Sequence, residues 1–543
     1  MAIEEQVDLV VLGAGFSGLA AAKGYLQCAP DTNLVILDNN KSIGGTWAKE
    51  RLYEGLRSNN LRGTLEFPDY PLHDGFGVKQ GEYLPGTVVH DYLAEYAKHW
   101  NIHDRIRFES KALDAEKVED AEHGGWRLTV SSPGGEYKLV TRKLIVATGL
   151  TSQLQAMHVK GQESFNAPIV NTIRLADEGA EVLRDRSNTR VTVIGAGKSA
   201  YDAVYTYASA GKHVDWVIRK NGHGPAWMSK SHIVLGPLGK FWSGFNDDPK
   251  LKALHPDSDI FSTATTFAIL NYPTDILDYV RNGQVKVHRE NISHLSDHTV
   301  HLADGTNLPS DAFIASTGWL FGPALAFKDT TTHSDLGIPS LDYTPKQKAF
   351  WAALDAHADA EIFQRFPKLA ALDYPPCADD DMKENPLDEV DAGIVRREYQ
   401  PWRLYRSLVP PGLAAKGDRS LAFAGFSANI TGDIRNEISG LWIYAYMNDQ
   451  LAIDPCRDVE DVYWDVALLQ RFCFRRYPYG FGRRFQDFFF DAVPWNDVLL
   501  RDLGMSGKRK GGSWWRECFE PYRMEDYRGI TGEWLSMKKG LAG

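Results

Sequence analysis

Two short glycine-rich segments contain the residues whose type and spacing suit binding chemistry. The first, Gly13-Ala14-Gly15-Phe16-Ser17-Gly18, lies between the apolar run "VDLVVL" and the segment "LAAAKGYL", which has helical character. In such a turn the first Gly permits the sharp bend, the second lets a pyrophosphate approach the backbone, and the third lets helix and strand pack closely. The N-terminus of the helix then attracts the phosphates. This pattern predicts a dinucleotide site formed by Gly13, Gly15 and Gly18.

A carboxylate stands at the expected distance from the first turn. Asp38 ends a second apolar run, "NLVILD", 20 residues after Gly18. An acidic residue at this point commonly accepts a hydrogen bond from a ribose hydroxyl. The order of strand, glycine turn, helix, strand and acid therefore predicts a Rossmann-like unit and not an accidental glycine-rich loop.

A second glycine turn follows much later in the chain. Gly195-Ala196-Gly197-Lys198-Ser199-Ala200 lies between the strand-like "RVTVIG" and the helix-like "YDAVYTYASAGK". The next strand-like run, "VDWVIRK", ends in Arg219 and Lys220 where an NAD site would have a carboxylate. Cations there suit the 2′-phosphate of NADP, which favours NADPH, although two ordinary surface residues would give the same pattern. Two turns predict two dinucleotides, or a duplicated fold with one empty site.

The bulk composition excludes several classes of protein. The 543 residues suffice for two or more domains, and 60 Lys and Arg against 71 Asp and Glu leave a formal net charge of −11. This charge argues against nucleic acid or an anionic membrane as partner, and the basic run Lys508-Arg509-Lys510 is interpreted as a solvated loop. Five scattered cysteines predict a reducing compartment and no metal site. With no secretion leader and no apolar run of membrane length, we expect a cytoplasmic protein.

Further segments occur in a characteristic order along the chain. They are Gly44-Gly45-Thr46-Trp47, "YEGLRSNNLRGTLEFPDYPL" at 53–72, "LIVATG" at 144–149, "DAFIASTGW" at 311–319, "LYRSLVPP" at 404–411 and "SLAFAGF" at 420–426. Together with the two turns they resemble the class B flavin-dependent monooxygenases, which include the dimethylaniline-type N- and S-oxygenating enzymes and the Baeyer–Villiger monooxygenases. The resemblance covers about residues 1–450, whereas 330–400 and 455–543 match no pattern of the family.

The resemblance implies an α/β fold with two Rossmann-like dinucleotide-binding domains. The FAD-binding domain would comprise residues 1–157 and 312–454, with the NADPH-binding domain inserted at 158–311. The two strands that end in Thr-Gly would be the crossing points, and residues 455–543 would form a helical C-terminal extension. Residues 330–400, rich in Asp, Ala and Pro, are either a lid over the substrate pocket or a loosely ordered surface segment.

The resemblance also implies which residues bind FAD on the first turn and NADPH on the second. Trp47 packs either beside the flavin or in an ordinary core. The helix after Phe426 would direct its positive N-terminus at the flavin ring. The cofactor-binding residues that follow are Gly13, Gly15, Gly18, Asp38, Gly45, Thr46, Trp47, Asn60 and Thr148 for FAD, and Asn171, Gly195, Gly197, Ser199, Ala200, Arg219 and Lys220 for NADPH.

The activity that the resemblance implies is a monooxygenase reaction on a small organic substrate. NADPH would reduce FAD, and one atom of O2 would reach the substrate through an FAD C4a-hydroperoxide. Asn59, counted back from "FPDYP", falls where N- and S-oxygenating members have a catalytic Asn and where Baeyer–Villiger relatives usually have Asp. An amide donates a hydrogen bond without adding negative charge, which favours oxygen transfer to a nucleophilic N or S.

Several alternatives remain open at this point. Asn60 could be the residue in register, and Asn59 could serve only as a cap or turn residue. The reaction could be a Baeyer–Villiger or other carbon oxygenation. A weakly active flavoprotein acting as a redox sensor or binding protein is the alternative from another class. Asp69, before an aromatic residue and Pro, and His90, near the start of an amphipathic helix, are interpreted as structural residues.

The segment "FNAPIVNT" at 165–172 is an altered copy of the family pattern FxGxxxH. Phe165 keeps the Phe, Ala167 replaces the Gly and Asn171 replaces the His. An Asn keeps the hydrogen-bonding capacity of His but cannot become a cation. We expect Asn171→His to leave folding intact and to alter the KM for NADPH or the coupling, unless the position is merely structural.

Overall fold

The computed structural model describes residues 4–118, 125–220, 224–229, 248–258, 260–322, 324–328, 333–340, 343–372, 400–457 and 459–542. The strands in chain order are β1 (Glu5–Leu12), β2 (Leu34–Leu37), β3 (Arg57–Leu61), β4 (Tyr83–Pro85), β5 (Ile106–Arg107), β6 (Lys111–Val118), β7 (Gly125–Ser132), β8 (Gly135–Val146), β9 (Gln153–Leu154), β10 (Ile169–Asn171), β11 (Arg190–Ile194), β12 (His213–Ile218), β13 (Met228–Ser229), β14 (Ala268–Ile269), β15 (Val285–Arg289), β16 (Ile292–Ser296), β17 (Thr299–Leu302), β18 (Asn307–Pro309), β19 (Ala312–Ala315), β20 (Trp319–Leu320), β21 (Ala326–Lys328) and β22 (Leu421–Phe423).

The α-helices of the described residues are α1 (Phe16–Cys28), α2 (Gly86–His99), α3 (Glu178–Arg184), α4 (Lys198–Ser209), α5 (Ile276–Arg281), α6 (His333–Leu336), α7 (Pro345–Arg365), α8 (Pro367–Ala370), α9 (Pro411–Ala415), α10 (Gly432–Met447), α11 (Val459–Arg476), α12 (Ala492–Asp502), α13 (Trp514–Phe519) and α14 (Ile530–Ala542). None of them is long and apolar enough to cross a lipid bilayer.

The first glycine turn belongs to an eight-stranded sheet. Its strand order is β21-β6-β7-β8-β1-β2-β5, and β22 pairs with β8 beside this path. The strands β8, β1, β2 and β22 run parallel, whereas β6, β7 and β8 form an antiparallel meander. Leu9, Val10 and Val11 of β1 are fully buried, as expected of a parallel strand covered on both faces.

The second glycine turn belongs to a separate sheet of five parallel strands. The strand order is β10-β19-β11-β12-β15, and the turn follows β11. The strand β19 therefore lies in the second sheet, although the FAD-binding domain was expected to resume at residue 312. Directly after the two Thr-Gly segments, β9 and β20 pair antiparallel with Leu154 opposite Trp319. The two segments that connect the first and second sheets therefore lie side by side. The domain boundaries stay a prediction.

The C-terminal extension is helical and packs against α1, α7 and α10. Its first helix, α11, lies against α7 of the predicted lid segment. The Asp359 carboxylate of α7 accepts hydrogen bonds from the guanidinium groups of Arg471 and Arg475 at 2.9 and 3.0 Å, and these groups hold the pKa of Asp359 below its usual range. Residues 345–365 are therefore an ordered helix, while 373–399 of the predicted lid lie outside the described residues.

The segment "LYRSLVPP" also contacts the extension. Arg406 and Ser407 of "LYRSLVPP" have positive φ angles of 52° and 56°, and Arg406 donates to Asp502 of α12 at 2.8 Å. The basic run lies within the extension itself, and the solvated-loop interpretation was wrong for its last two residues, although Lys508 is exposed. Lys510 is 4% exposed and pairs with Asp526 at 2.7 Å, and Arg509 pairs with Glu533.

Candidate active site

The first glycine turn has the geometry that a bound pyrophosphate requires. Gly13 has a φ of +108°, and a Cβ there would lie 2.6 Å from the carbonyl oxygen of Ala147. A Cβ on Gly18 would overlap the Gly13 carbonyl, so helix and strand meet as the motif predicts. At Gly15 the nearest described atom would lie 3.6 Å away, which leaves its backbone open to a ligand.

A cleft of about 650 Å³ opens above this turn, at the carboxyl ends of β1 and β2. Residues outside the eight-stranded sheet also contribute to its wall, including Ile173 and Arg174 from the segment after β10 of the five-stranded sheet. Gly18 lies beneath the turn, against the Gly13 carbonyl. The predicted FAD-binding residues that line the cleft are Gly13, Gly15, Asp38, Gly45, Thr46, Trp47 and Thr148.

Asp38 holds the turn and also faces the cleft. One carboxylate oxygen accepts the Ala14 N–H at 2.6 Å, and the other accepts the backbone N–H and the amide of Asn40 at 2.8 Å. Burial raises the pKa of Asp38, and the donated hydrogen bonds partly offset this shift. Carboxylate oxygens retain further lone pairs, so Asp38 can also accept a hydrogen bond from a ribose hydroxyl.

Two buried polar side chains lack a hydrogen-bond partner among the described residues, and one of them, Thr148, lines the cleft. The Thr148 hydroxyl, and both amide atoms of Asn429 before α10, have no hydrogen-bond partner among the described residues. Buried polar groups are normally satisfied, so each indicates a place for ligand atoms. With the open backbone at Gly15, the Thr148 hydroxyl in the cleft wall fits a polar atom of a flavin dinucleotide.

The start of α10 is electrostatically unusual. Burial raises the pKa of Asp433 to about 8 and lowers the pKa of Arg435 to about 10. Arg435 donates to the Ser427 carbonyl and, at 2.9 Å, to the Asn436 side chain. Because burial disfavours the ionised form of Asp433, this side chain opposes the positive end of the helix dipole less than an exposed carboxylate would, which favours an electron-rich ligand there.

The second turn repeats the first with one change. Gly195 has a φ of +132°, and a Cβ there would lie 2.6 Å from the Ser316 carbonyl oxygen. A Cβ on Gly197 would meet no described atom within 4 Å. Ser199 and Ala200 lie in the first turn of α4, and the buried Ala200 methyl takes the place of the third glycine. This turn can accept a second pyrophosphate.

The predicted cations lie where the motif puts them, directly after β12. The Lys220 ammonium is two-thirds exposed and 3.7 Å from Glu290. Its backbone N–H donates to Asn291 at 3.2 Å. Arg219 is half-buried beside it. Their contact with a 2′-phosphate stays a prediction.

The structure places Asn59 and Asn60 on β3, away from the wall of the cleft as far as the described residues show. Asn59 is exposed. The Asn60 amide donates to the Thr64 carbonyl at 3.1 Å, which is a local turn contact. The catalytic role of Asn59 and the cofactor contact of Asn60 remain predictions.

The altered fingerprint lies where the chain crosses between the sheets. The Asn171 side chain accepts the Ile173 N–H at 3.1 Å and donates to the Thr317 hydroxyl at 3.4 Å. Thr317 in turn donates to the Gln155 carbonyl at 2.7 Å. Asn171 therefore contacts the returning crossing directly and the outgoing crossing through Thr317, next to cleft residues Ile173 and Arg174.

The two residues interpreted as structural do hold loops in place. His90 Nδ1 lies 3.1 Å from the carbonyl oxygens of Ile43 and Trp47, on either side of the "GGT" segment. Asp69 contacts Lys23 and the Gly529 N–H.

Sequence reasoning missed two residues of this region. Arg51 lines the cleft, and burial lowers its pKa although Asp38 and Glu50 lie nearby. Asn429 is marked only by its unsatisfied amide. The "KER" stretch and the "SANIT" loop contain no pattern that would have singled them out. Two glycine turns of the nucleotide-binding type, one in the mixed sheet beneath a cleft and one in the parallel sheet, are the geometry of a protein with two dinucleotide-binding folds.

Comparisons with known proteins agree with this class. Residues 6–230 match the family model FMO-like, flavin-binding monooxygenase-like. The chain is 31% identical over 598 residues to FAD-dependent monooxygenase resA of Aspergillus sclerotiorum, with 97% of this chain and 98% of the relative covered. It is 32% identical over 571 residues to an FAD-dependent monooxygenase of Pyrenophora dematioidea, with 93% and 98% covered.

Among solved structures, S-allyl-L-cysteine S-oxygenase from Allium sativum shares the fold at a TM-score of 0.53 and 16% identity, over 98% of this chain and 99% of that one. The identity and coverage of the relatives decide the family. The chain belongs to the class B flavin-dependent monooxygenases, and it is an enzyme with FAD as its cofactor.

Proposed function

We propose that the protein oxidises NADPH and inserts one atom of O2 into a small organic substrate at a nucleophilic nitrogen or sulfur. NADPH supplies two electrons as a hydride, one atom of O2 enters the substrate, and the other leaves as water with the hydride's hydrogen equivalent and a proton from solvent. The observation that carries the proposal is the pair of glycine turns, each open at its second glycine and each at the carboxyl end of a parallel strand.

Separate sets of residues would bind the two cofactors. Gly15, Asp38 and Thr148 would hold FAD in the cleft, and bound FAD supplies electron transfer and oxygen activation. Gly197 would admit the pyrophosphate of NADPH, and Arg219 and Lys220 would pair with its 2′-phosphate.

Asn59 would act on the oxygen-transfer step. Its amide can donate a hydrogen bond to the reacting oxygen without adding charge. Because Asn59 is exposed on β3 in the described structure, this role requires that substrate or NADPH binding enclose the strand.

Anaerobic mixing of the FAD-loaded enzyme with NADPH or NADH tests the electron donor. We expect the flavin absorbance to bleach with NADPH and at least tenfold more slowly with NADH at equal concentration. Gly197→Ala should raise the Kd for NADP+ about tenfold because its methyl group would occupy the phosphate space. The melting temperature should not change, since no described atom lies within 4 Å. Bleaching that is absent or slower than turnover would reject the proposal.

Product analysis tests the site of oxygen insertion. With an amine or a thioether we expect a product 16 Da heavier, and little product from a cyclic ketone. Asn59→Asp should lower the yield of oxygenated product and raise H2O2 release, because a carboxylate repels an electron-rich oxygen. Efficient oxygenation of the ketone alone would instead establish a Baeyer–Villiger reaction.

A further inference from the structure

Polar side chains connect the two halves of the molecule beside the second glycine turn. One half is built on the eight-stranded sheet, which contains the first glycine turn, and the other on the five-stranded sheet, which contains the second. Tyr53, just before β3, donates its hydroxyl hydrogen to Asp202 of α4 at 2.8 Å. A cleft of about 300 Å³ runs beside this contact and is lined by Tyr53, Asp202 and Tyr272. The Tyr53 ring also packs against the hydrophobic core of the second half, so its hydroxyl adds a directional hydrogen bond to an apolar contact between the halves.

The Asp202 carboxylate interacts with several hydrogen-bond donors at once. Its second oxygen accepts the Tyr272 hydroxyl at 2.7 Å and pairs with the Lys198 ammonium. Lys198 also donates to the Tyr272 hydroxyl at 3.1 Å. Lys198 stands between Gly197 and Ser199, so a single carboxylate links the second glycine turn to a residue of the flavin-binding half.

The backbone of β3 is held from the second half as well. The Asn271 amide donates to the carbonyl oxygens of Arg57 at 3.1 Å and Ser58 at 2.9 Å, and Asn271 is buried. Asn59 is the next residue. Tyr53 and Asn271 therefore fix both ends of the segment that leads to Asn59.

The protonation states suit these contacts. Burial raises the pKa of Tyr53 well above its usual value, and the neighbouring Asp202 charge raises it further. Burial and Asp202 act on the pKa of Tyr272 in the same direction. Both phenols thus keep their protons and donate, and hydrogen bonds from neutral donors to a carboxylate are among the stronger ones in proteins.

We propose that Asp202 is a positioning residue for hydride transfer, which fixes the second glycine turn relative to the strand of Asn59 through its contacts with Lys198 and Tyr53. The inference rests on the proposed use of NADPH. The inference predicts that the rate of hydride transfer and the affinity for NADPH respond separately to mutation. The Tyr53 contact orients the two halves, whereas the residues of the turn bind the dinucleotide.

Tyr53→Phe tests the inference because it removes only the hydroxyl that crosses between the halves. We expect the limiting rate of flavin reduction at saturating NADPH to fall about tenfold, the effect of losing one hydrogen bond to a charged group. The Kd for NADP+ should stay within about twofold. Tyr205→Phe is the matched control, since Tyr205 stacks on Tyr272 at 4.5 Å and its hydroxyl contacts Thr274 within the same half.

Hydrogen–deuterium exchange supplies a readout that does not depend on NADPH. In the FAD-loaded enzyme, amides of residues 53–61 should exchange about tenfold faster in Tyr53→Phe and at the parental rate in Tyr205→Phe. An unchanged reduction rate in Tyr53→Phe, or a rate and an NADP+ affinity that fall by the same factor, would overturn the positioning role. If NADPH fails to reduce even the parent enzyme, the proposed function fails, and unchanged exchange would separately refute the Tyr53–Asp202 connection.

Discussion

The ammonium of Lys23, on α1, and the carboxylate of Glu437, on α10, form a buried ion pair between the two helices. Lys23 also contacts Asp69 at 2.5 Å, and the other Asp69 oxygen accepts the Gly529 N–H at 2.6 Å. Burial lowers the pKa of Lys23, and Asp69 opposes the shift. One ammonium therefore joins the helix of the first glycine turn, α10, the "FPDYP" segment and, through Asp69, the C-terminal extension.

Asp69→Ala should loosen the C-terminal extension. It removes one counter-charge of a buried ammonium and the acceptor of the Gly529 N–H, so we expect a loss of roughly 2–3 kcal/mol in the free energy of unfolding. Urea unfolding measures the loss, and limited proteolysis should show earlier cleavage near residue 529. Asp74→Ala is the control, because the Asp74 side chain is 96% exposed and its ion pair with Arg62 should contribute under about 1 kcal/mol. Equal losses in both variants would contradict the ion-pair argument.

Gly440→Ala should separate α1 from α10. A Cβ at Gly440 would lie 2.5 Å from the Ala20 carbonyl oxygen, and a Cβ at Gly24 would lie 2.8 Å from the Gly440 carbonyl carbon. Neither helix backbone can move without disturbing the first glycine turn or the start of α10. We expect a loss of roughly 2 kcal/mol or more by urea unfolding. Gly540→Ala, in the open end of α14, should be neutral or stabilising by up to about 1 kcal/mol.

Gly18→Ala should strongly reduce FAD binding and leave the fold largely intact. The new methyl group would collide with the Gly13 carbonyl and displace the turn whose backbone faces the cleft. The ratio of flavin to protein absorbance after purification should fall at least tenfold, with circular dichroism close to the parental spectrum. Gly134→Ala, in a hairpin where the nearest atom would be 3.8 Å away, should retain full FAD content. Full FAD content in Gly18→Ala would show that the turn tolerates a side chain.

Asp487 should make stability depend on pH. It is fully buried, accepts from Thr265 and pairs across a backbone bridge with Ala428, and burial raises its pKa from 3.8 to about 6. The folded state therefore binds more protons than the unfolded state between about pH 4 and 6, so this group lowers stability progressively as pH rises through that window. The penalty is complete above about pH 6.

Asp487→Asn removes this penalty. Relative to the parent, the variant should gain roughly 1 kcal/mol more stability at pH 8 than at pH 5, measured by urea unfolding at both values. Asp74→Asn, at an exposed carboxylate, should show no such difference. A gain of the same size at both pH values would mean that the Asp487 carboxylate is already ionised in the folded protein at pH 5.

The sequence predicted the parts of the site that depend on local backbone geometry. Gly13 and Gly195 have the positive φ angles that the turns require, Asp38 lies at the end of β2, and Asn171 lies at the crossing. The predicted α/β fold, the family and the FAD cofactor are confirmed. NADPH use, the site residues and the preference for N or S stay predictions, and the solvated-loop interpretation of Lys510 was wrong because a partner 16 residues away buries it.

What the sequence determined by itself is the pair of nucleotide turns, because their glycines obey steric limits set within a few residues. Only the tertiary structure decided which distant groups meet: Tyr53 with Asp202, Lys23 with Glu437, and Asp487 with Thr265. These contacts span 149 to 414 residues of chain, and no periodicity or motif encodes them. Each depends on how two sheets and an appended helical segment pack, since burial of a charge selects its partner only after the surrounding surfaces have closed around it.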